Sequence, residues 1–472
     1  MIDKTKELKE LLVDKKILIV GAGVTGKALC KALDGYNLFI TDDNEHKLEE
    51  LSAKNTSSEV SVIKSAPDWT KDILNYDLVV PSPGVPKNHP IIQSAVSSSI
   101  KVVSEIEVAY LMANKPIIAI TGTNGKTTVT TLVNEVLNRS NIKSVACGNI
   151  GTSLVEAVTT STEVDFFVAE VSSFQLSFIK TFRPKVAAWI NLTEDHLDWH
   201  SDLNEYATTK AKIWSNQTYD DIAVANTDDP VVRDHFTKLT STNGSNDVGN
   251  STGPRTVTFG LKGGNLYIAD GKIVVYDLLE KHETKNLISV SDLNRSSTID
   301  LLNYLAVLSI CLPIGADLNA ALGAIKEFKG LEHRLELVLN QNGVKWINDS
   351  KATTPSAVVG ALESMEDVVL ILGGKDKGLD FTPILSKLSH INSFILIGEL
   401  TDKIESLFSS YSKPIIKAES MKQAVKEAKE IASFGSTVLL SPGGASYDMY
   451  DSYRARGEDF KKEVFDQLNN SK

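Results

Sequence analysis

The sequence predicts an α/β chain of three domains, each built on a mainly parallel sheet. Short runs rich in Val and Ile alternate with helical patterns along all 472 residues, which is how parallel sheets covered by helices are encoded. The length corresponds to about three domains of ordinary size. The apolar runs also fall into three groups, and most lead directly into a loop rich in Gly, Asp, Asn, Ser or Thr. Open parallel sheets bind ligands beyond the carboxyl ends of their strands, so each group defines a sheet with a functional rim.

In the first group KILIV (16–20) leads into GAGVTG, NLFI (37–40) into TDD, and DLVV (77–80) into PSPG. In the second, PIIAI (116–120) leads into TGTNGKTT, DFFVA (165–169) into EVSSFQL, KVAAWI (185–190) into NLTEDHLD, and DIAVA (221–225) into NTDD. The third comprises VKWI (344–347) into NDSKATT, VVLILGG (368–374) into KDK, SFILIG (393–398) into Glu399, and TVLL (437–440) into SPGGASYDMY. Boundaries at MANKP (112–116) and FKGLEHR (328–334) divide the chain into 1–112, 113–330 and 331–472. The stretch 241–255, STNGSNDVGNSTGPR, has no periodicity and reads as an exposed loop.

Hydrophobic residues make up 42% of the chain and charged residues 23%, a globular profile with material for several cores. A net charge of −11 argues against nucleic acid as a partner and requires locally placed cations for any anionic substrate. Cys30, Cys147 and Cys311 are scattered, odd in number and without a CxxC spacing, so they are expected to be reduced and buried. The charged opening MIDKTKELKELLVDKK is no signal peptide, and no apolar run reaches the roughly 18 residues of a membrane span. A cytoplasmic location without a membrane partner is expected.

Gly21, Gly23 and Gly26 form G-x-G-x-x-G after the first strand, and Asp42 ends the next one. Such a turn lets backbone approach a diphosphate at a helix N-terminus, and an acid at that spacing meets a ribose hydroxyl. A cradle of this Rossmann-like kind suits UDP as well as NAD. In TGTNGKTT, Gly122, Gly125, Lys126 and Thr127 have the makings of a phosphate loop for ATP: enclosing N–H groups, an ammonium on the β/γ charge and a hydroxyl for Mg2+. Ile120 stands where the usual pattern has its first glycine. Glu170 closes the next strand, and Glu194, Asp195, His196 and Asp198 follow in TEDHLD. Oxygen donors of this kind suit Mg2+, which seldom takes imidazole.

Together, TGTNGKTT, AEVSSFQL, NLTEDHLD, NTDD, EHR, WINDSKAT and SPGGAS closely resemble the Mur ligases, and the likeness runs from Gly21 to about Gly457. The resemblance implies a UDP-binding domain, a central phosphate-loop ATPase domain and a Rossmann-like amino-acid-binding domain. SSFQL and SPGGASYDMYDSY are similar to the members that add D-glutamate; the D-N-P-R of the diaminopimelate-adding members is absent, and the alanine-adding members carry His where Asn124 stands. The implied reaction joins D-glutamate to UDP-N-acetylmuramoyl-L-alanine through an acyl phosphate, with ATP and Mg2+, in a monomer. The alternative is a related ligase, Mur or folylpolyglutamate-synthase in type, with a different amino acid.

Site residues follow from the same resemblance. Lys126, His196, Lys210 and Asn149 would be catalytic, with Thr127, Glu170, His196 and a carbamylated Lys210 around the metal. From its residue type alone, Lys210 on a helix would be solvated surface. Gly122, Thr123, Asn124, Gly125, Lys126, Thr127, Thr128, Asp300, Asn303, Arg334, Asp349 and Lys351 would bind ATP. The family's adenine-contacting H-N-x-x-N appears as Ile299-Asp300-Leu301-Leu302-Asn303, and Asp300 cannot donate to a ring nitrogen. Val24, Thr25, Asp42, Asp43, Ser82, Gly84, Asn149 and His196 would hold the UDP substrate. Thr353, Lys377 (with Lys375 its rival), Ser446 and Tyr453 would hold D-glutamate.

Overall fold

The computed structural model describes residues 3–54, 60–63, 69–195, 199–242, 253–278, 283–363, 365–376 and 378–469. Three sheets are present, as the strand grouping predicts. The first has five parallel strands in the order Val60–Val62, Leu38–Thr41, Ile17–Val20, Leu78–Pro81, Lys101–Val102. Ile17–Val20 is buried throughout, with neighbours from both directions of the chain, so the crevice at its carboxyl end opens where the strand order reverses.

The central sheet has nine strands. Ile117–Thr121 lies between Phe166–Glu170 and Val186–Trp189, parallel to both, which again sets a glycine loop at a reversal of strand order. Ile222–Asn226 and Arg255–Phe259 continue the parallel order. At the far edge Leu266–Ala269, Lys272–Tyr276 and Thr284–Ser289 form an antiparallel meander.

Residues 1–328 form one compact unit. One apolar cluster runs from Ile17, Ile19 and Leu38 through Ile106 and Val108 to Ile117, Phe167 and Trp189, so the first two sheets share a core. The helix Glu105–Met112 lies in that seam and is buried from Glu105 to Leu111. Its acids therefore take partners inside the protein. Glu107 accepts from the backbone N–H groups of Lys180 (2.8 Å), Thr181 (2.7 Å) and Phe182 (2.9 Å), tying the helix to a loop of the central domain. Glu105 accepts from Gln175 Nε2 at 2.7 Å, and its second oxygen has no partner among the described residues.

Residues 329–472 form the second unit. Its sheet runs Glu336–Gln341, Val344–Asn348, Thr437–Gly443, Val368–Gly373, Ile391–Ile397, Ile415–Ala418, with the first strand antiparallel to the second and all others parallel. Among the described residues no helix is long and apolar enough to cross a membrane. The three cysteines are buried. Most of the 241–255 loop lies outside the described residues.

Burial raises the Glu105 carboxyl from 4.5 to about 7, the Gln175 hydrogen bond only partly opposing the shift. Between those values the folded protein keeps a proton that the unfolded chain releases. The stability this carries is complete below pH 4.5 and is lost as pH rises through about 7. Glu105→Gln, a permanently neutral isostere, is expected to gain about 2 kcal/mol on wild type between pH 5 and pH 8. Urea unfolding at the two pH values measures this; an unchanged difference contradicts a protonated Glu105.

Candidate functional site

The three glycines of the first loop do three different jobs. Gly21 has φ +102°, and a Cβ there would lie 2.8 Å from Ser82 Oγ. At Gly26 it would lie 1.9 Å from the Gly21 carbonyl oxygen, so helix and strand pack there only without a side chain. Gly23 faces open space and caps the helix Val24–Ala32 with no side-chain bond, leaving the helix N-terminus to an anion.

A cavity of about 460 Å³ opens over this loop. Val24, Thr25, Asp42, Asp43, Ser82 and Gly84 line it, as does Asn149 from the central domain. Asp42 also holds the loop itself, accepting from Ala22 N (2.7 Å) and Asn44 N (2.8 Å). Among the lining residues that the sequence reading did not name, two carry basic side chains. Lys47 brings an ammonium 3.7 Å from Asp42, and His89 places Nε2 3.2 Å from both oxygens of Asp43. The His89-Pro90 pair, an N-cap before a first-turn proline, was the available signal for the second.

At the second loop Gly125 (φ +82°) caps the helix Lys126–Arg139 without a side-chain bond, and a Cβ there would lie 2.4 Å from Asn303 Oδ1. The Lys126 ammonium folds over the loop onto the carbonyls of Gly122 (2.9 Å) and Thr123 (2.8 Å). Asn191, another residue the sequence reading missed, braces the turn. Its Oδ1 accepts from the N–H groups of Thr123 and Asn124, both at 2.9 Å, and its Nδ2 donates to Asn124 O at 2.9 Å. Thr127 and Thr128 are buried in the first helical turn. The Asp300 carboxylate accepts from Ser297 Oγ (2.7 Å) and Arg295 Nε (3.1 Å), so a neighbouring guanidinium occupies the acid.

Glu170 is buried at the next strand end; Oε1 accepts from Asn149 Nδ2 at 3.1 Å, and Oε2 has no partner among the described residues. An unpartnered buried carboxylate oxygen beside a phosphate loop fits a divalent cation. Lys210 departs from the surface lysine its residue type suggests. It is 1% exposed, its Nζ 2.9 Å from the Gly122 carbonyl and 4.6 Å from the centre of the Tyr206 ring. Burial holds its pKa well below the usual lysine range, assisted by Lys126 and opposed by Asp195 and Glu170. His196 lies outside the described residues.

In the second unit, Asp349 is buried, accepting from Leu335 N (3.2 Å) and Ser441 Oγ (2.9 Å), and burial raises it to about 7. Arg334 lies close enough to oppose that shift. Lys351 donates its backbone N–H to His333 O (3.0 Å). Ser446 is buried, while Thr353 and Tyr453 are half-buried. Lys375 pairs with Glu399, whereas Lys377 lies outside the described residues.

Three family models match in order: the Mur ligase MurD-like N-terminal domain over 15–104, the Mur ligase middle domain over 120–308, and the Mur ligase glutamate ligase domain over 333–444. The UDP-N-acetylmuramoylalanine–D-glutamate ligase of Thermoanaerobacter pseudethanolicus is 38% identical over 464 residues, covering 96% of this chain and 98% of that one. Its counterpart in Clostridioides difficile is 36% identical over 473 residues, covering 98% and 100%. Among solved structures, the MurF ligase of Thermotoga maritima in complex with ADP matches with a TM-score of 0.57 at 16% identity, covering 99% of this chain and 100% of that one. The UDP-N-acetylmuramate–alanine ligase MurC of the same organism gives 0.55 at 19%, covering 97% and 100%. The chain belongs to the Mur ligase family of ADP-forming, ATP-dependent ligases.

Asn191→Asp would keep both acceptor contacts and set an oxygen against Asn124 O. Weaker ADP binding by about tenfold is expected, read by titration calorimetry; unchanged affinity would mean that the brace is not part of the cradle.

Proposed function

We propose that the chain joins D-glutamate to UDP-N-acetylmuramoyl-L-alanine in the cytoplasm, as a monomer using ATP and Mg2+, with neither membrane nor nucleic acid as partner. Domains 1–112, 113–330 and 331–472 would bind the UDP-sugar, ATP and the amino acid. The observation that carries this reading is Asn149, which lines the first cavity and donates to Glu170 at the edge of the phosphate loop. The near full-length relatives named for this reaction support the choice of amino acid.

In the proposed reaction, a carboxylate oxygen of the alanyl acceptor attacks the γ-phosphorus of ATP, the bond to the β-phosphate oxygen breaks, and ADP leaves. The D-glutamate amine then attacks the acyl carbon; phosphate departs and the amine gives up a proton. Repulsion between carboxylate and triphosphate is the main obstacle, so positioned cations are the protein's main contribution.

Gly122, Thr123, Asn124, Gly125 and Thr128 would surround the phosphates, with Lys126 moving from its loop carbonyls onto the transferring group. Asp300 and Asn303 would face the base, and Arg334, Asp349 and Lys351 would complete the ATP site. Val24, Thr25, Asp42, Asp43, Ser82, Gly84 and Asn149 would hold the UDP moiety, and His196 would meet the acceptor. Thr127, Glu170, His196 and Lys210 would hold Mg2+, which supplies positive charge against the phosphoryl and acyl oxygens. The buried setting of Lys210 favours the neutral amine that adds carbon dioxide to become a carbamate. Thr353, Lys377, Ser446 and Tyr453 would take D-glutamate.

The test is ADP release and product mass from purified protein. Turnover should require both UDP-N-acetylmuramoyl-L-alanine and D-glutamate, and Lys126→Ala should lower it about 100-fold or more. Turnover with L-glutamate or diaminopimelate in place of D-glutamate rejects the assignment.

A further inference from the structure

Arg456 is 2% exposed, on the helix Tyr453–Asn469 of the second unit. A buried guanidinium ordinarily faces a carboxylate. Among the described residues this one donates to neutral oxygens. Nε donates to Ser350 Oγ (3.0 Å) and Nη2 to Ser350 O (2.9 Å) and Gly444 O (3.2 Å). Nη1 donates to Gly444 O (3.2 Å) and Ala445 O (3.1 Å). Burial lowers its pKa to about 10, opposed by Asp448 and Tyr450, so it stays charged at neutral pH.

Those oxygens belong to two strand-end loops, NDSKAT and SPGGAS. A third loop closes on the same point. Gly374 has φ +109°, and a Cβ there would lie 2.3 Å from Ala445 O and 2.9 Å from Arg456 Nη1. Its neighbour Lys375 donates N–H to Ala445 O at 2.8 Å. One side chain thus joins two of the five rim loops at the carboxyl ends of the parallel strands, and a third packs on the same carbonyl.

The gathering fixes the backbone of 444–446. The Gly444 and Ala445 carbonyls are turned onto the guanidinium, and the Ala445 carbonyl also takes the Lys375 N–H in an antiparallel bridge between residues 375 and 445. Ser446, the next residue, is buried, so the place of its hydroxyl, a donor that a carboxylate can use, is set by the loop that Arg456 holds.

We infer that Arg456 is the positioning residue of the amino-acid site, shaping 444–446 into a receptor for a carboxylate of the incoming dicarboxylic amino acid. This rests on the proposed function, and on Ser446 as part of the D-glutamate pocket. Arg456 acts through the loops and touches no substrate. The fork is the essential feature, because a lysine head keeps the charge but cannot reach Ser350 and Gly444–Ala445 together.

Steady-state kinetics of the full chain, with thermal melting as a fold check, test it. Arg456→Lys should raise KM for D-glutamate about tenfold or more while KM for the UDP-linked acceptor stays within about twofold. Ser350→Ala, which removes one acceptor, should move the same constant in the same direction by less. An unchanged D-glutamate KM, or a loss spread evenly over D-glutamate, acceptor and ATP, overturns the inference. If the lysine variant does not fold, Ser350→Ala decides by the same two outcomes. Wild-type turnover that does not saturate with D-glutamate would refute the functional reading instead.

Discussion

The structure of residues 1–328 depends on the contact between the turn at Gly148–Asn149 and the strand end at Glu170. Gly148 (φ +94°) lies so close that a Cβ would be 2.3 Å from Glu170 O. The Asn149 backbone then donates to Glu170 O at 2.8 Å, and its side chain donates to Glu170 Oε1. Asn149 also forms part of the cavity over the first glycine loop. Asn149 and Glu170 therefore stand between the cavity over the first glycine loop and the strand end beside the second, and in the proposed function a molecule anchored by its diphosphate in the first would extend toward the second. Glu107 and the shared apolar core keep the pair in place: the acid fastens the seam helix to 180–182, and the packing on both sides of it is continuous.

Charge is placed sparingly in this acidic chain. The phosphate-loop ammonium rests on carbonyls of its own loop, the second lysine near it is buried, and the guanidinium of the other unit lies among carbonyls and hydroxyls. Each of these cations has neutral dipoles, carbonyl or hydroxyl, among its hydrogen-bond acceptors. Two of the buried acids are shifted toward their neutral form. Glu105 and Asp349 are buried and raised to about 7, so near neutrality each carries only part of its negative charge.

Much of this was legible in the sequence because glycine loops and strand ends are local signals. The two cradles, the three sheets and the lining of the first cavity follow from short motifs read in order. What escaped depends on distance in the chain. Asn191 braces a loop nearly seventy residues before it, and an Asn in a rim motif does not announce its partner. Lys210 looks like helix surface because its amine reaches the phosphate loop, nearly ninety residues earlier in the chain, which its own sequence window does not contain. The antiparallel edges at 266–289 and 336–341 match none of the strand-end motifs and so gave no functional signal. Arg456 sits in a charged run, YRARGEDFKKE, where a solvated helix face is the ordinary reading.

The most direct test of this pair is the coupling free energy between its two sides, from calorimetric titration of a non-hydrolysable ATP analogue with and without UDP-N-acetylmuramoyl-L-alanine. The two ligands should change each other's affinity reciprocally, by about tenfold, and Asn149→Ala should abolish that coupling while each ligand still binds alone. Independent binding in the wild type, or full coupling in the variant, would contradict a link through Asn149 and Glu170.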